Sequence, residues 1–314
     1  FDEEGNLVQA WGGPGPGYDW PGHEHGLFVD HKDNVWIGGE SSAPGREDHQ
    51  VLKFTSDGTF LLQIGQSGKY GGNQHKEFLG HPTDTEVDPE TNEVYVSDGY
   101  LNRRVIVFDA ETGEYKRHWG AYGNEPEDFA PGIYYGGGRY LKTGPDGESV
   151  DAGLTPPIAP GRRTPGSETT YDPEDPPSQQ FNIVHGLRVT KDGLVYVADR
   201  TNNRIQVFQK DGTYVKEVVI ANKTMGEGTV WDVDVSPDEE QTFLYVADGT
   251  NQRIWILRRE DLEILGHFGR RGHGAGEFHW VHKLAVDSQG NIYTGEVSRG
   301  RRLQKFVLET KEAS

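Results

Sequence analysis

Cysteine is absent from this chain of 314 residues. No disulfide can staple it and no thiolate can bind a metal, which leaves imidazole and carboxylate as metal ligands. Long apolar runs are also missing, so no membrane-spanning helix is expected, and no signal peptide opens the sequence. Basic residues are scarce: 31 Lys and Arg stand against 50 Asp and Glu, for a net charge of −19. Nucleic acids and anionic membranes are held by clustered Lys and Arg, so neither is an expected partner. What the chain has in plenty is glycine, 43 residues of it, in an acidic, turn-rich composition compatible with export. That composition does not itself establish export; the expected location is secreted or periplasmic.

The glycines punctuate a repeat. A first apolar strand recurs as His25-Gly-Leu-Phe-Val-Asp, Thr83-Asp-Thr-Glu-Val-Asp, His185-Gly-Leu-Arg-Val-Thr, Trp231-Asp-Val-Asp-Val-Ser and His282-Lys-Leu-Ala-Val-Asp. A second follows each time, as in Glu93-Val-Tyr-Val-Ser-Asp and Leu194-Val-Tyr-Val-Ala-Asp, and a third, as in Arg104-Val-Ile-Val-Phe and Arg204-Ile-Gln-Val-Phe. A turn of Asp, Gly and Thr then leads to a fourth strand such as Thr59-Phe-Leu-Leu-Gln-Ile. Alternating apolar residues between Gly and Asp turns mark antiparallel strands. Units of about 40 to 50 residues with four strands each mark the blades of a β-propeller. The expected fold is thus all-β, one propeller domain over residues 1–314 with four-stranded antiparallel blades.

Five units carry the first three strands, and Phe1–Gly12 reads as the end of a third strand, a turn and a fourth strand. Either those residues belong to an incomplete sixth blade, or they close the last of five. Six blades is the favoured expectation, because only an even ring gives alternate blades three-fold placement.

That placement matters because the first column of the repeat reads His25, Thr83, His185, Trp231, His282. Three imidazoles on alternate blades, converging on the ring axis, suit a transition metal with coordination positions left open. One such histidine would be read as a polar residue hydrogen-bonded to backbone; three in alternation point to a metal. His23, His81 and His279 lie off this register and are expected at the rim rather than as ligands. In a four-stranded meander the start of strand one lies beside the end of strand two, so Tyr100 and Arg200 are expected on the histidine face. Both depart from the pattern that another unit shows as Asp248-Gly-Thr. A phenol beside a metal and an arginine can serve as a general base, since nearby cations lower its pKa from about 10. Arg104, Arg204 and Arg253, and the acids Asp98, Asp199, Asp248 and Glu296, repeat from unit to unit and are read as structural.

Residues 121–180 interrupt the repeat with about 60 residues rich in Pro and Gly, including Thr155-Pro-Pro and Asp172-Pro-Glu-Asp-Pro-Pro. A connection of that length entering from the histidine face is expected to act as a lid or rim, with Tyr134, Tyr135 and Tyr140 to pack it.

These motifs resemble the NHL-repeat six-bladed propellers and, within them, the catalytic domain of peptidyl-α-hydroxyglycine α-amidating lyase. The strings that carry the resemblance are the histidine openings, Pro82-Thr-Asp, Val96-Ser-Asp-Gly-Tyr100 and Val197-Ala-Asp-Arg200. The resemblance implies one Zn²⁺ on His25, His185 and His282, a catalytic tyrosine at Tyr100 and an active-site arginine at Arg200. It implies a second catalytic arginine upstream of what aligns with Phe1. It also implies a structural calcium held partly by an Asp after the third histidine; here Lys283 stands in that place, which argues against the ion, although the carbonyl of Leu27 matches another of its ligands. The family's Met-Pro before that histidine is Trp280-Val281 here, its disulfides cannot form, and the long insertion has no counterpart in it.

The expected function is a zinc-dependent, lyase-like enzyme that breaks a C–N bond in a small hydroxylated substrate or a peptide terminus. The alternative is a non-catalytic NHL propeller binding a protein or carbohydrate. A lactonase-like hydrolase would instead need carboxylates and Asn around a calcium, where this register offers His, Thr and Trp. The sequence leaves the substrate and the oligomeric state open.

Overall fold

The computed structural model of the chain describes residues 2, 5–43, 46–128, 134–135, 139–143, 149–154 and 171–309. Its strands form blades in chain order. Blade 1 comprises Glu24–Val29, Val35–Gly39, Gln50–Phe54 and Phe60–Gly65. Blade 2 is Pro82–Asp88, Glu93–Asp98, Arg104–Asp109 and Tyr115–Trp119; blade 3 is Val184–Val189, Leu194–Asp199, Arg204–Gln209 and Tyr214–Val219. Blade 4 is Asp232–Val235, Phe243–Asp248, Arg253–Arg258 and Ile264–Phe268, and blade 5 has three strands, Val281–Val286, Ile292–Glu296 and Leu303–Phe306. Every blade is an antiparallel meander whose strands pair in sequence order. The first strands of successive blades adjoin one another, from blade 1 through to blade 5, so they line the axis.

The core lies between the blades rather than inside any one of them, because a single sheet has no interior. Trp36, Val51, Val94 and Ile106 fill the space between blades 1 and 2, and Tyr95, Val107, Leu187 and Phe208 that between blades 2 and 3. Ile205, Val233 and Leu244 join blades 3 and 4, and Ile254, Phe278 and Leu284 join blades 4 and 5. Inner strands sandwiched in this way bury both faces, which explains why a strand such as Val94-Tyr-Val reads as a continuous apolar run.

Five blade sheets, not six, are present among the described residues. Residues 5–12, the described part of the stretch expected to complete a sixth blade or close the last of five, add no strand to any sheet, nor do residues 13–23. A fourth strand exists only by pairing with a third, and Leu7 and Val8 remain 63% and 70% exposed. The segment nevertheless keeps the repeat's packing. Trp11 lies 5.3 Å from Phe54 of blade 1, just as Trp119 lies 5.9 Å from Phe208 and Phe268 lies 5.0 Å from Phe306. The aromatic at the end of one unit thus covers the third strand of the next.

Of the long insertion, residues 121–128 and 171–180 are described, together with a three-stranded sheet of Tyr134–Tyr135, Arg139–Thr143 and Ser149–Leu154. The expected lid, and the packing of Tyr134, Tyr135 and Tyr140, otherwise lie outside the described residues.

Candidate metal centre

At every blade but the fourth, strand two ends against the entry to strand one through the same backbone hydrogen bond. Glu40 donates to the His23 carbonyl at 3.0 Å, Tyr100 to His81 at 3.4 Å, Arg200 to Ile183 at 3.0 Å and Val297 to Trp280 at 3.1 Å. This bond brings Tyr100 and Arg200 to the end of the axis where the first-column histidines stand. Glycine makes the fit possible. A Cβ on Gly99 would sit 1.8 Å from the Val184 carbonyl, and one on Gly26 2.5 Å from the Thr83 carbonyl. A side chain at either place would push adjacent blades apart.

His25, His185 and His282 converge. Their ring centroids form a nearly equilateral triangle of 5.0, 4.8 and 4.7 Å, and their ligand nitrogens lie within 4.8 Å of one another, so the three could hold a metal ion. The three-fold arrangement expected of an even ring is therefore present with five blade sheets, blades 2 and 4 spacing the histidine-bearing ones.

The tautomers follow from the backbone. His25 Nδ1 lies 2.8 Å from the Thr83 carbonyl, and His185 Nδ1 lies 2.5 Å from the Trp231 carbonyl. A carbonyl only accepts, so both Nδ1 atoms carry the proton and both Nε2 atoms present a lone pair. The non-histidine members of the first column thus orient the histidines through their main chain. Burial drives all three imidazoles toward the neutral form. It lowers His25 to about 4, and lowers His185 and His282 well below the usual range, with Arg200 and neighbouring histidines adding to the effect. Three neutral nitrogen donors are a suitable set for zinc or another first-row ion.

Tyr100 is buried beside them. Its hydroxyl lies 3.1 Å from His25 Nε2 and 3.3 Å from His185 Nε2, where it can donate to one lone pair at a time. Arg200 stacks 4.4 Å above the Trp231 ring and 5.9 Å from the Tyr100 ring. Glu227 holds it there, its carboxylate 2.5 Å from Nη2 and its carbonyl accepting from Nε at 2.9 Å. A cavity of about 810 Å³ opens over this group; His25, Tyr100, Arg200 and His282 line it together with Trp231, Trp280, Glu40 and Arg301.

One step inward, Lys283 occupies the axis. Its ammonium lies 2.6 Å from Asp84 and 3.2 Å from Asp232, the residues that follow Thr83 and Trp231 in the first column. A further step along the strands, Arg188 bridges Glu86 at 3.3 Å and Asp234 at 2.9 Å. The carboxylates at the position in doubt for calcium thus have a lysine as their cation.

The repeating acids are buried and pair with arginines: Asp98 with buried Arg104 at 2.8 Å, Asp199 with buried Arg204 at 2.7 Å, and Glu296 with half-buried Arg302 at 2.6 Å. Arg253 instead donates to the Asn251 carbonyl, and Asp248 receives the Trp255 indole at 2.9 Å. Of the three off-register histidines, His23 lines the cavity and His279 stacks on His273. His81 is not at the rim; it is fully buried and stacked on His49 at 4.7 Å, because its residue opens the strand that blade 1 covers. Glu40, Glu227 and Arg301 were not singled out from sequence. Glu40 occupies the same end-of-strand-two position as Tyr100 and Arg200, so the register contained it. Glu227 and Arg301 lie in connections, where no register applies.

The NHL repeat model matches residues 181–208, the first two strands of blade 3 and most of its third. Peptidyl-glycine alpha-amidating monooxygenase B of Xenopus laevis is 27% identical over 87% of this chain, which spans only 25% of that protein. Peptidyl-alpha-hydroxyglycine alpha-amidating lyase 1 of Drosophila melanogaster is 24% identical over 92% of the chain and 46% of its own length. NHL repeat-containing protein 3 of mouse is 28% identical over 98% of the chain and 71% of its own length. Three histidines poised for a metal, a propeller of antiparallel blades and these matches agree: the chain carries an NHL repeat and is homologous to the peptidyl-glycine amidating enzymes and to the amidating lyase.

Proposed function

We propose that this chain is a zinc-dependent lyase that cleaves the C–N bond of a peptide ending in α-hydroxyglycine. The observation that carries the reading is the Tyr100 hydroxyl within 3.3 Å of two imidazole nitrogens whose lone pairs face the same point. His25, His185 and His282 would hold the metal. When bound, it supplies Lewis acidity that makes a substrate hydroxyl easier to deprotonate.

Tyr100, as its phenolate, takes the proton from the substrate hydroxyl. The C–O bond becomes a carbonyl, the C–N bond breaks with its electrons passing to nitrogen, and the tyrosine proton goes to that nitrogen. An amide and glyoxylate leave, and no oxidant or water is consumed. Arg200, fixed by Glu227 and Trp231 5.9 Å from the Tyr100 ring, keeps a positive charge near the tyrosine that favours its phenolate form. The lyase relative is named for this substrate class, and the reading extends to an extracytoplasmic site of action and to residues 1–314 working as one propeller unit.

The test is turnover of an N-acylated α-hydroxyglycine by zinc-loaded protein. The parent should release glyoxylate, and Tyr100→Phe should lose at least about 100-fold in kcat with its metal content unchanged. Full activity in that variant removes the role for Tyr100. A parent that binds zinc but releases no glyoxylate favours the second reading, a ligand-binding propeller, to which the match with NHL repeat-containing protein 3 over 98% of the chain lends support.

A further inference from the structure

We infer that Arg301 reads a terminal carboxylate on the ligand of the histidine cavity and so sets its specificity for acids over amides; this rests on the lyase reading for the identity of the ligand, but not for the charge that is recognised. The other charged groups of the cavity wall already have partners. Its carboxylates are Glu24, Glu40 and Glu227. Glu227 is taken by Arg200, Glu40 lies 2.5 Å from His23 Nδ1, and Glu24 accepts the Trp20 indole N–H at 2.8 Å. Arg200 is in turn committed to Glu227 and to the face of Trp231.

Arg301 is different. Its Nε donates to the Ser298 carbonyl at 2.9 Å, and its two terminal nitrogens have no carboxylate partner among the described residues. The side chain is exposed to the cavity, yet its base is fixed. Ser298 and Arg301 both adopt left-handed backbone, at φ +56° and +47°, and Gly300 closes the turn onto the Val297 carbonyl at 3.0 Å. The Val297 amide ties the same turn to Trp280. Trp280 lies 5.3 Å from Trp231, and together they give the cavity an apolar wall. A guanidinium tethered through Nε and open at both ends suits bidentate capture of a carboxylate, which a lysine cannot reproduce. The ligand chemistry that fits is a short chain with an apolar residue for the tryptophans and a free carboxylate beyond it.

The experiment titrates N-acetyl-phenylalanyl-glycine and its uncharged glycinamide counterpart into the full chain, read by tryptophan fluorescence. The parent should bind the acid at least about tenfold more tightly than the amide. Arg301→Ala should weaken the acid about tenfold and leave the amide unchanged, and Arg301→Lys should fall between. Since Arg301 is exposed, an unchanged melting curve is expected to accompany the variant. An acid preference that survives in Arg301→Ala, or a parent that does not discriminate, overturns the inference. The two readings fail separately. Glyoxylate release with an unaltered KM in Arg301→Ala would sink this inference and spare the lyase; an arginine-dependent acid preference without glyoxylate release would do the reverse.

Discussion

Two adjacent layers of the axis are built from consecutive positions of the repeat's first strand, the histidines on blades 1, 3 and 5 and the charged residues on blades 2, 4 and 5, yet they treat charge in opposite ways. The outer layer, His25, His185 and His282, is held neutral by burial and by nearby cations. The layer beneath, Asp84, Asp232 and Lys283, carries its own cation, a lysine set between two carboxylates. Neutral donors without a cation of their own are poised to take one from solution. Carboxylates that already have a tethered cation are not. The difference explains how a single ring can offer one candidate site for a metal and fill the positions beneath it with an ion-paired plug, with Arg188 between Glu86 and Asp234 continuing it.

The largest effect should come from breaking the plug. Lys283→Met leaves Asp84 and Asp232 buried without their cation, and should cost about 3 kcal/mol in urea unfolding at pH 7.5, the low end for a broken buried pair because the lysine is partly open to the axis. Burial already raises Asp232 to about 7. A carboxyl whose folded pKa is raised contributes stability at low pH that is lost as pH rises. The deficit of the variant should therefore shrink between pH 7.5 and 5.5, and a deficit that is absent or independent of pH would contradict the pairing.

A smaller effect should sharpen the contrast from the histidine side. In metal-free protein, unfolded imidazoles take up protons near pH 6.5 while His25 resists until about 4. The unfolded state then binds more protons in that window, so stability falls with pH across it. The melting temperature of the metal-free parent should drop more between pH 7 and 5 than that of His185→Gln. Equal drops would mean that the histidines do not sit in the buried, neutral state described.

The two layers were not equally legible in the sequence. The histidine column was, because strand register forces residues at one repeat position to one height on the axis, and a chemical alternation there survives as spacing alone. Tyr100 and Arg200 were legible for the same reason: the meander puts the end of strand two beside the start of strand one. Lys283 was visible as a cation where a carboxylate was expected, but its partners became clear only once blades 2 and 4 faced blade 5. Blade number is not legible in the repeats, because a strand is defined by its hydrogen-bonded neighbour, which the motif of residues 5–12 does not encode. The burial of His81, expected at the rim, is not legible either, because it depends on how blade 1 packs over it. Glu227 and Arg301 lie in connections, where repeat logic has no purchase.

The central claim is that three neutral imidazoles form one metal site. Its most direct test is elemental analysis of the purified protein after exposure to zinc, beside His185→Ala treated identically. About one equivalent of zinc in the parent, lost in the variant, is the predicted result. A parent that holds no transition metal, or a variant that holds as much as the parent, would contradict it.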